Sequence, residues 1–276
     1  MRPLILACAH HDYHNTVDRT ANEGMCAWAV LDSISVYVVA VIFLATLIRS
    51  TLGFGEALVA VPLLALRIPV AVAAPLAVLV SIIVAGLIVV QDWRHVQIKS
   101  ATGLIASAIP GIPLGLLLLT CVEDHIVKLI LGVIIIAFSI YSLAAPKKLQ
   151  LKKDHLGWLL GAGFCSGILG GAYGMNGPPL AIYGALRGWS PQHFRATLQG
   201  YFLPASLIGM VGYVALGMWT SEVSRFFLLS LPGVLIAIVA GRFIHQRLQG
   251  GGFYTWVHAC LLLIGATLLI EAMPAF

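Results

Sequence analysis

Two stretches of this chain place glycines and polar groups inside apolar runs that a membrane helix would keep unbroken. The first is Arg49-Ser50-Thr51-Leu52-Gly53-Phe54-Gly55-Glu56-Ala57. The second is Gly170-Gly171-Ala172-Tyr173-Gly174-Met175-Asn176-Gly177-Pro178-Pro179. A helix that starts at such a break leaves its first N–H groups unpaired within the membrane, and the whole chain reads as two halves built around these positions.

The medium follows from composition. With 60% hydrophobic and 10% charged residues over 276 positions, and a mean hydropathy of +0.97, there is too little polar surface to cover a soluble globule. Lipid-facing helices need none. The fold class is therefore an all-α polytopic membrane protein whose partner is the lipid bilayer. The formal charge of +5 is spread through short loops without a basic stripe, which argues against nucleic acid. Cys8, Cys26, Cys121, Cys165 and Cys260 form no CxxC, and those within apolar runs read as small buried hydrophobes. Residues 1–33 read as a disordered N-terminal tail, with Met25 an alternative start. His10, His11 and His14 lack a fold to fix a metal geometry there. Nothing calls for a metal or a cofactor.

From Ser35 onward ten apolar segments can be drawn. They are A (34–50), B (57–67), C (70–91), D (101–120), E (125–145), A′ (156–173), B′ (178–187), C′ (194–216), D′ (223–246) and E′ (254–272). C and C′ are long enough for a hydrocarbon core of about 30 Å, whereas B and B′ reach about 15 Å and are half-helices. All six tryptophans fall at or just beyond segment ends, where the indole ring favours the interface. Alternate threading gives one face Arg94, Lys99, Lys147, Lys148, Lys152, Lys153, Arg187, Arg195, Arg242 and Arg247 against two acids. The other face receives five cations and eight acids. The positive-inside rule makes the first face cytoplasmic and puts both termini outside.

The halves also match in order. Phe54-Gly55 precedes B as Tyr173-Gly174 precedes B′, and Ile109-Pro110-Gly111 in D answers Leu231-Pro232-Gly233 in D′, at an offset near 120 residues. This is an internal duplication, with repeat 1 over 34–146, a basic linker at 147–155 and repeat 2 over 156–276. Five segments per half make the two copies inverted repeats with broken, re-entrant half-helices. That pattern points to a secondary transporter with its site where the breaks meet.

Such a site suits an anion. Half-helix N-termini at Gly53 and Gly55, and at Gly174 and Gly177, expose amides and a positive dipole end, and glycine lets an oxyanion approach the backbone. Asn176 is a good N-cap, and Pro178 and Pro179 suit a first turn. The plainer reading is that these glycines serve only close helix packing. Glu56 is the only acid within the apolar segments, and Arg49 is the one base that loop placement does not explain. Either the two neutralise each other and fasten A to B, or Glu56 carries a proton and Arg49 contacts the anion. Early in C′, Arg195 and Gln199 share a helix face, with Thr197 between them. Arg195 serves the anion or reaches for the cytoplasmic interface.

Gly53-Phe54-Gly55 with Leu58-Val59-Ala60-Val61-Pro62-Leu63-Leu64 forms one motif. Ser166-Gly167-Ile168-Leu169-Gly170-Gly171 through Gly174-x-x-Gly177-Pro178-Pro179-Leu180-Ala181-Ile182-Tyr183, continuing to Phe194-Arg195-x-Thr197-Leu198, forms the other. Together they resemble the paired motifs of the sulfite exporter TauE/SafE family of membrane permeases, over nearly all of 34–272. The resemblance implies transport of sulfite or a small organosulfur anion such as a sulfonate in a bacterial inner membrane. It assigns most of the anion binding to the second break, which keeps Gly-Pro-Pro. The sequence departs from the family pattern at Glu56 and at Met175-Asn176. The expected function is proton-coupled carriage of a small oxyanion by alternating access, with an anion channel as the alternative. An intramembrane enzyme would need a nucleophile and base or a metal cluster that the segments do not supply. A sensor or scaffold would carry a soluble domain. A homo-oligomeric assembly is compatible with all of this.

Overall fold

The structure, a computed structural model, describes residues 33–92, 98–144, 156–187, 189 and 191–247, with 262, 266, 269 and 270. The N-terminal tail, the basic linker and nearly all of segment E′ lie outside the described residues. Ten helices follow in order: α1 Ser33–Leu52, α2 Glu56–Ala65, α3 Val70–Asp92, α4 Ile98–Ala108, α5 Gly111–Cys121, α6 Asp124–Ala144, α7 Leu156–Tyr173, α8 Gly177–Leu186, α9 Pro191–Ala215 and α10 Ser221–Arg247. Among the described residues there is no strand.

Six of these helices, α1, α3, α6, α7, α9 and α10, are long and apolar enough to cross a membrane. The pair α4–α5, bent by 40°, makes a seventh if counted as one span. Helices α2 and α8 have 10 residues each and reach only about 15 Å. The outward faces carry large apolar side chains, among them Val90, Val211, Ile236 and Phe243, each more than half exposed. Water would not tolerate that coat and hydrocarbon does, so this is a multi-pass membrane protein. Trp158 and Trp219 are exposed at the starts of α7 and α10. Cys121 and Cys165 are exposed as well, contrary to the expectation of buried hydrophobes. In lipid the outer face is as apolar as the core, so a thiol loses nothing there.

The matched Pro-Gly pairs of D and D′ behave differently. Ile109-Pro110 separates α4 from α5, whereas Pro232 sits inside the unbroken α10. Their neighbours explain it. Gly111 lies against the backbone of α7, where an added β-carbon would come 3.0 Å from the amide nitrogen of Ile168. Gly233 meets only the ring of Phe43, at 3.7 Å.

Packing exchanges the halves. α1 lies along α10, and α4 and α5 lie along α7, so A meets D′ as A′ meets D. α3 crosses α9, bringing C onto C′, and α2 touches α6. Where α3 crosses α9, the Ser206 hydroxyl donates to that of Ser81 at 3.4 Å. The packing of α7 on α4 and α5 depends on small residues at four-residue spacing, Gly163 and Gly167 of α7 against Leu104, Ser107 and Ala108 of α4, and Gly171 of α7 with Gly111 and Gly115 of α5. A β-carbon at any of the five would overlap the facing helix. Close packing of this kind replaces the hydrophobic drive that hydrocarbon solvent removes. Gly161, on the same helix α7, has open space around it. Gly167→Val should therefore lower stability by at least the roughly 1–3 kcal/mol typical of overpacking, while Gly161→Val stays near wild type. Thermal melting of the purified protein in detergent reads the difference.

Candidate functional site

The two breaks meet. α1 ends at Leu52, and the chain passes through Gly53 (φ +87°) and Gly55 (φ +98°), left-handed conformations that side chains with a β-carbon rarely adopt. α2 then begins at Glu56. On the other side Gly174 (φ +66°) turns the chain out of α7 before α8 begins at Gly177. One small cavity is walled by Gly55, Glu56, Ala57 and Leu58 from the first break and by Gly174, Met175, Asn176, Gly177 and Pro178 from the second. Arg49, Ser81 and Phe202 complete it.

Arg49 organises the polar groups around this cavity. It lies in the last turn of α1 and is 2% exposed, as is Glu56. Its Nη1 donates to Glu56 Oε2 in a buried ion pair and to Ser81 Oγ at 2.7 Å. Nη2 donates to Gln199 Oε1 at 2.7 Å, and the Gln199 amide in turn donates to the carbonyl of Gly53 at 2.6 Å. The Thr46 hydroxyl donates to Glu56 Oε1 at 3.4 Å. The guanidinium carbon stands 5.2 Å from the centre of the Phe202 ring, within cation–π range. Arg49 Nε is buried without a hydrogen-bond partner, a donor left open beside the cavity. Four helices thus converge on one cation, with α1, α2 and α3 from the first half and α9 from the second.

The helix ends differ in what they offer. The first ladder bond of α2 runs from the Val59 amide to the Gly55 carbonyl at 3.1 Å. The amides of Glu56, Ala57 and Leu58 therefore precede the ladder, and all three residues border the cavity. In α8 the corresponding positions are Pro178 and Pro179, which have no N–H. The first break thus presents more free amides to the cavity than the Gly-Pro-Pro break. The anchoring of the two breaks nevertheless repeats. Thr46 donates to Glu56 across ten residues, and Ser166 donates to the backbone carbonyl of Asn176 across ten residues, at 2.7 Å and 120 positions later. The Asn176 side chain lies against α7, where a β-carbon at Gly170 would collide with its Oδ1.

Arg49, Gly55, Glu56, Gly174, Asn176 and Gly177, all singled out from sequence, line the cavity. Gly53 and Gln199 join it through their hydrogen bonds. Arg195 and Thr197 do not line it. Thr197 is fully buried on α9, and the Arg195 side chain crosses the first break so closely that a β-carbon at Gly53 would sit 2.9 Å from its Cγ. Sequence reasoning missed Ser81, Phe202, Thr46 and Ser166. Ser81 had a signal, a lone serine in the aliphatic run of C matched in C′ by Ser206, and Thr46 and Ser166 stand 120 positions apart in A and A′. Phe202 had none, being one aromatic among many.

Removing one member of a buried pair strands the other charge, at a cost of about 3–5 kcal/mol, whereas replacing both with apolar residues is often neutral. Arg49→Met should therefore lower the melting temperature sharply in detergent, and Arg49→Met/Glu56→Met should recover most of the loss.

The family model described as "Sulfite exporter TauE/SafE" matches residues 38–268. The chain is 25% identical over 185 residues to a Cupriavidus necator protein described as "Probable sulfite/organosulfonate exporter TauE", covering 67% of this chain and 71% of that one. No solved structure matches. A family match spanning both breaks, the helices that carry them and the buried Arg49 between them establishes that the chain belongs to the sulfite exporter TauE/SafE family of membrane transport proteins.

Proposed function

We propose that this transporter carries a small oxyanion, sulfite or a sulfonate, across a bacterial inner membrane by alternating access. The observation that carries the reading is that two half-helix breaks, far apart in sequence, wall one cavity beside a buried arginine. The Cupriavidus necator relative is described as a probable exporter of sulfite and organosulfonate. The geometry suits that chemistry. The arginine supplies a planar fork of donors, the free amides at the start of α2 add to the positive end of its dipole, and Ser81 offers a neutral hydroxyl.

In this reading the two repeats are inverted, both termini lie outside, and the anion waits at Arg49, Gly53, Gly55, Gly174, Asn176, Gly177 and Gln199. Arg195 and Thr197 stand at the approach along α9. Movement of α9 against α1 and α2 breaks the Gln199 bridge from Arg49 to the Gly53 carbonyl, a polar tie between the halves at the cavity. Glu56 carries the proton. As a carboxylate it occupies the guanidinium that the substrate needs, and a protonated Glu56 leaves that charge to the anion.

In proteoliposomes, wild-type protein should accumulate sulfite or a simple sulfonate in response to a pH gradient. Glu56→Gln should retain anion exchange but lose the response to the gradient, and gradient-driven uptake intact in this variant would sink the coupling role. The stable double variant Arg49→Met/Glu56→Met should carry nothing. If it transports, the pair only fastens α1 to α2.

A further inference from the structure

We infer that the cavity accepts singly charged oxyanions together with one proton and rejects dianions. The inference rests on the oxyanion reading above and goes further by fixing the charge of the substrate and the number of protons that accompany it.

The argument is a charge count in a buried place. Among the described residues, the cavity wall contains one full positive charge, Arg49, and one negative charge, Glu56, in direct contact. Every other wall position is a glycine, an apolar side chain, the Ser81 hydroxyl or the Asn176 amide. The ionisable groups on the helices packed around it are directed elsewhere. Tyr37 donates to the Leu63 carbonyl, Tyr173 to the Val127 carbonyl, and Tyr213 to the carbonyls of Gly170 and Gly171. Lys128 pairs with Asp124 and His125 with Glu123 at the start of α6. Arg67 is exposed beyond α2, His193 is exposed in the first turn of α9, and Arg225 reaches Ser35 at the start of α1. Tyr201 is buried in α9 and Tyr183 stacks edge-to-face on Trp189. Arg195 crosses Gly53 outside the wall.

The empty site is therefore neutral, with a carboxylate already on the arginine. A monoanion entering alone would make it singly negative in a medium that solvates charge poorly, and it would meet the Glu56 carboxylate at the same guanidinium. One proton on Glu56 restores neutrality and frees the Nη1 donor. Arg49 stays protonated throughout, and the proton leaves with the anion on the far side, so the loaded and empty carriers both cross without net charge. A dianion brings one charge more than this arrangement can neutralise. It would need a second acid, and the described wall has none. Sulfite itself exchanges between a monoanion and a dianion near neutral pH, and the charge count selects hydrogensulfite.

Methanesulfonate, a fixed monoanion, and sulfate, a fixed dianion, bracket that choice. The full chain in proteoliposomes containing a pH dye should take up labelled methanesulfonate with one proton per anion. The flux should be indifferent to a membrane voltage imposed with potassium and valinomycin. Sulfate should enter at least about a hundredfold more slowly, a ratio equivalent to only about 2.8 kcal/mol. Glu56→Gln should carry methanesulfonate without the proton, and its flux should then respond to voltage, because that carrier is positive when empty. Comparable sulfate and methanesulfonate fluxes, or a voltage-driven methanesulfonate flux in the wild type, would overturn the inference while leaving the oxyanion reading intact. Failure of sulfite, methanesulfonate and sulfate alike to move would remove the oxyanion reading itself.

Discussion

A guanidinium that is almost wholly buried among membrane helices has to be answered by the protein, because the surrounding medium will not hydrate it. Arg49 is that group, and its neighbours are arranged around its needs. Glu56 supplies the opposite charge, Ser81 and Gln199 take further N–H groups, and Phe202 stands close by. Each partner sits on a different helix from Arg49, and Gln199 comes from the other half of the chain. The packing of α1, α2, α3 and α9 is thus tied to one charge. Such pairs contribute little net stability, since desolvation cancels most of the attraction.

The breaks make room for that charge. Had α1 run straight into α2, no amides would be free, and the span would greatly exceed the bilayer. Left-handed glycines at 53 and 55 and at 174 end the incoming helices, and the half-helices begin beside one another. Glycine serves a second purpose elsewhere. At positions 163 and 167 of α7, facing α4, and at 171 of α7 with 111 and 115 of α5, it allows helices to approach closely. The chain's glycines therefore act in two ways at different positions. Gly53, Gly55 and Gly174, with positive φ, turn the chain at the breaks, and those at four-residue spacing on α7 let helices pack closely.

Most of the candidate site was legible as a set of exceptions. Glu56 and Arg49 stood out because charge is rare in apolar segments, and Gly55, Gly174 and Gly177 because they interrupt them. Residues that follow the local rule were not legible. Phe202 is an ordinary aromatic in an apolar helix. The Gly-Pro-Pro motif marks a helix start clearly, but its prolines carry no N–H, so the less regular first break has more free amides.

What the sequence determined by itself was the medium, the helical class and the half-length of α2 and α8, because each depends on composition or on residues near in the chain. Hydrocarbon solvent forces backbone bonds within a helix, and ten residues cannot span it. Only the tertiary structure decided which exceptions share a cavity, that Gln199 reaches Arg49 while Arg195 lies outside the cavity wall, and that Pro110 bends its helix while Pro232 does not. Those outcomes depend on which helix face lies opposite, at separations of up to 150 residues between Arg49 and Gln199. No local pattern encodes a distance of that kind.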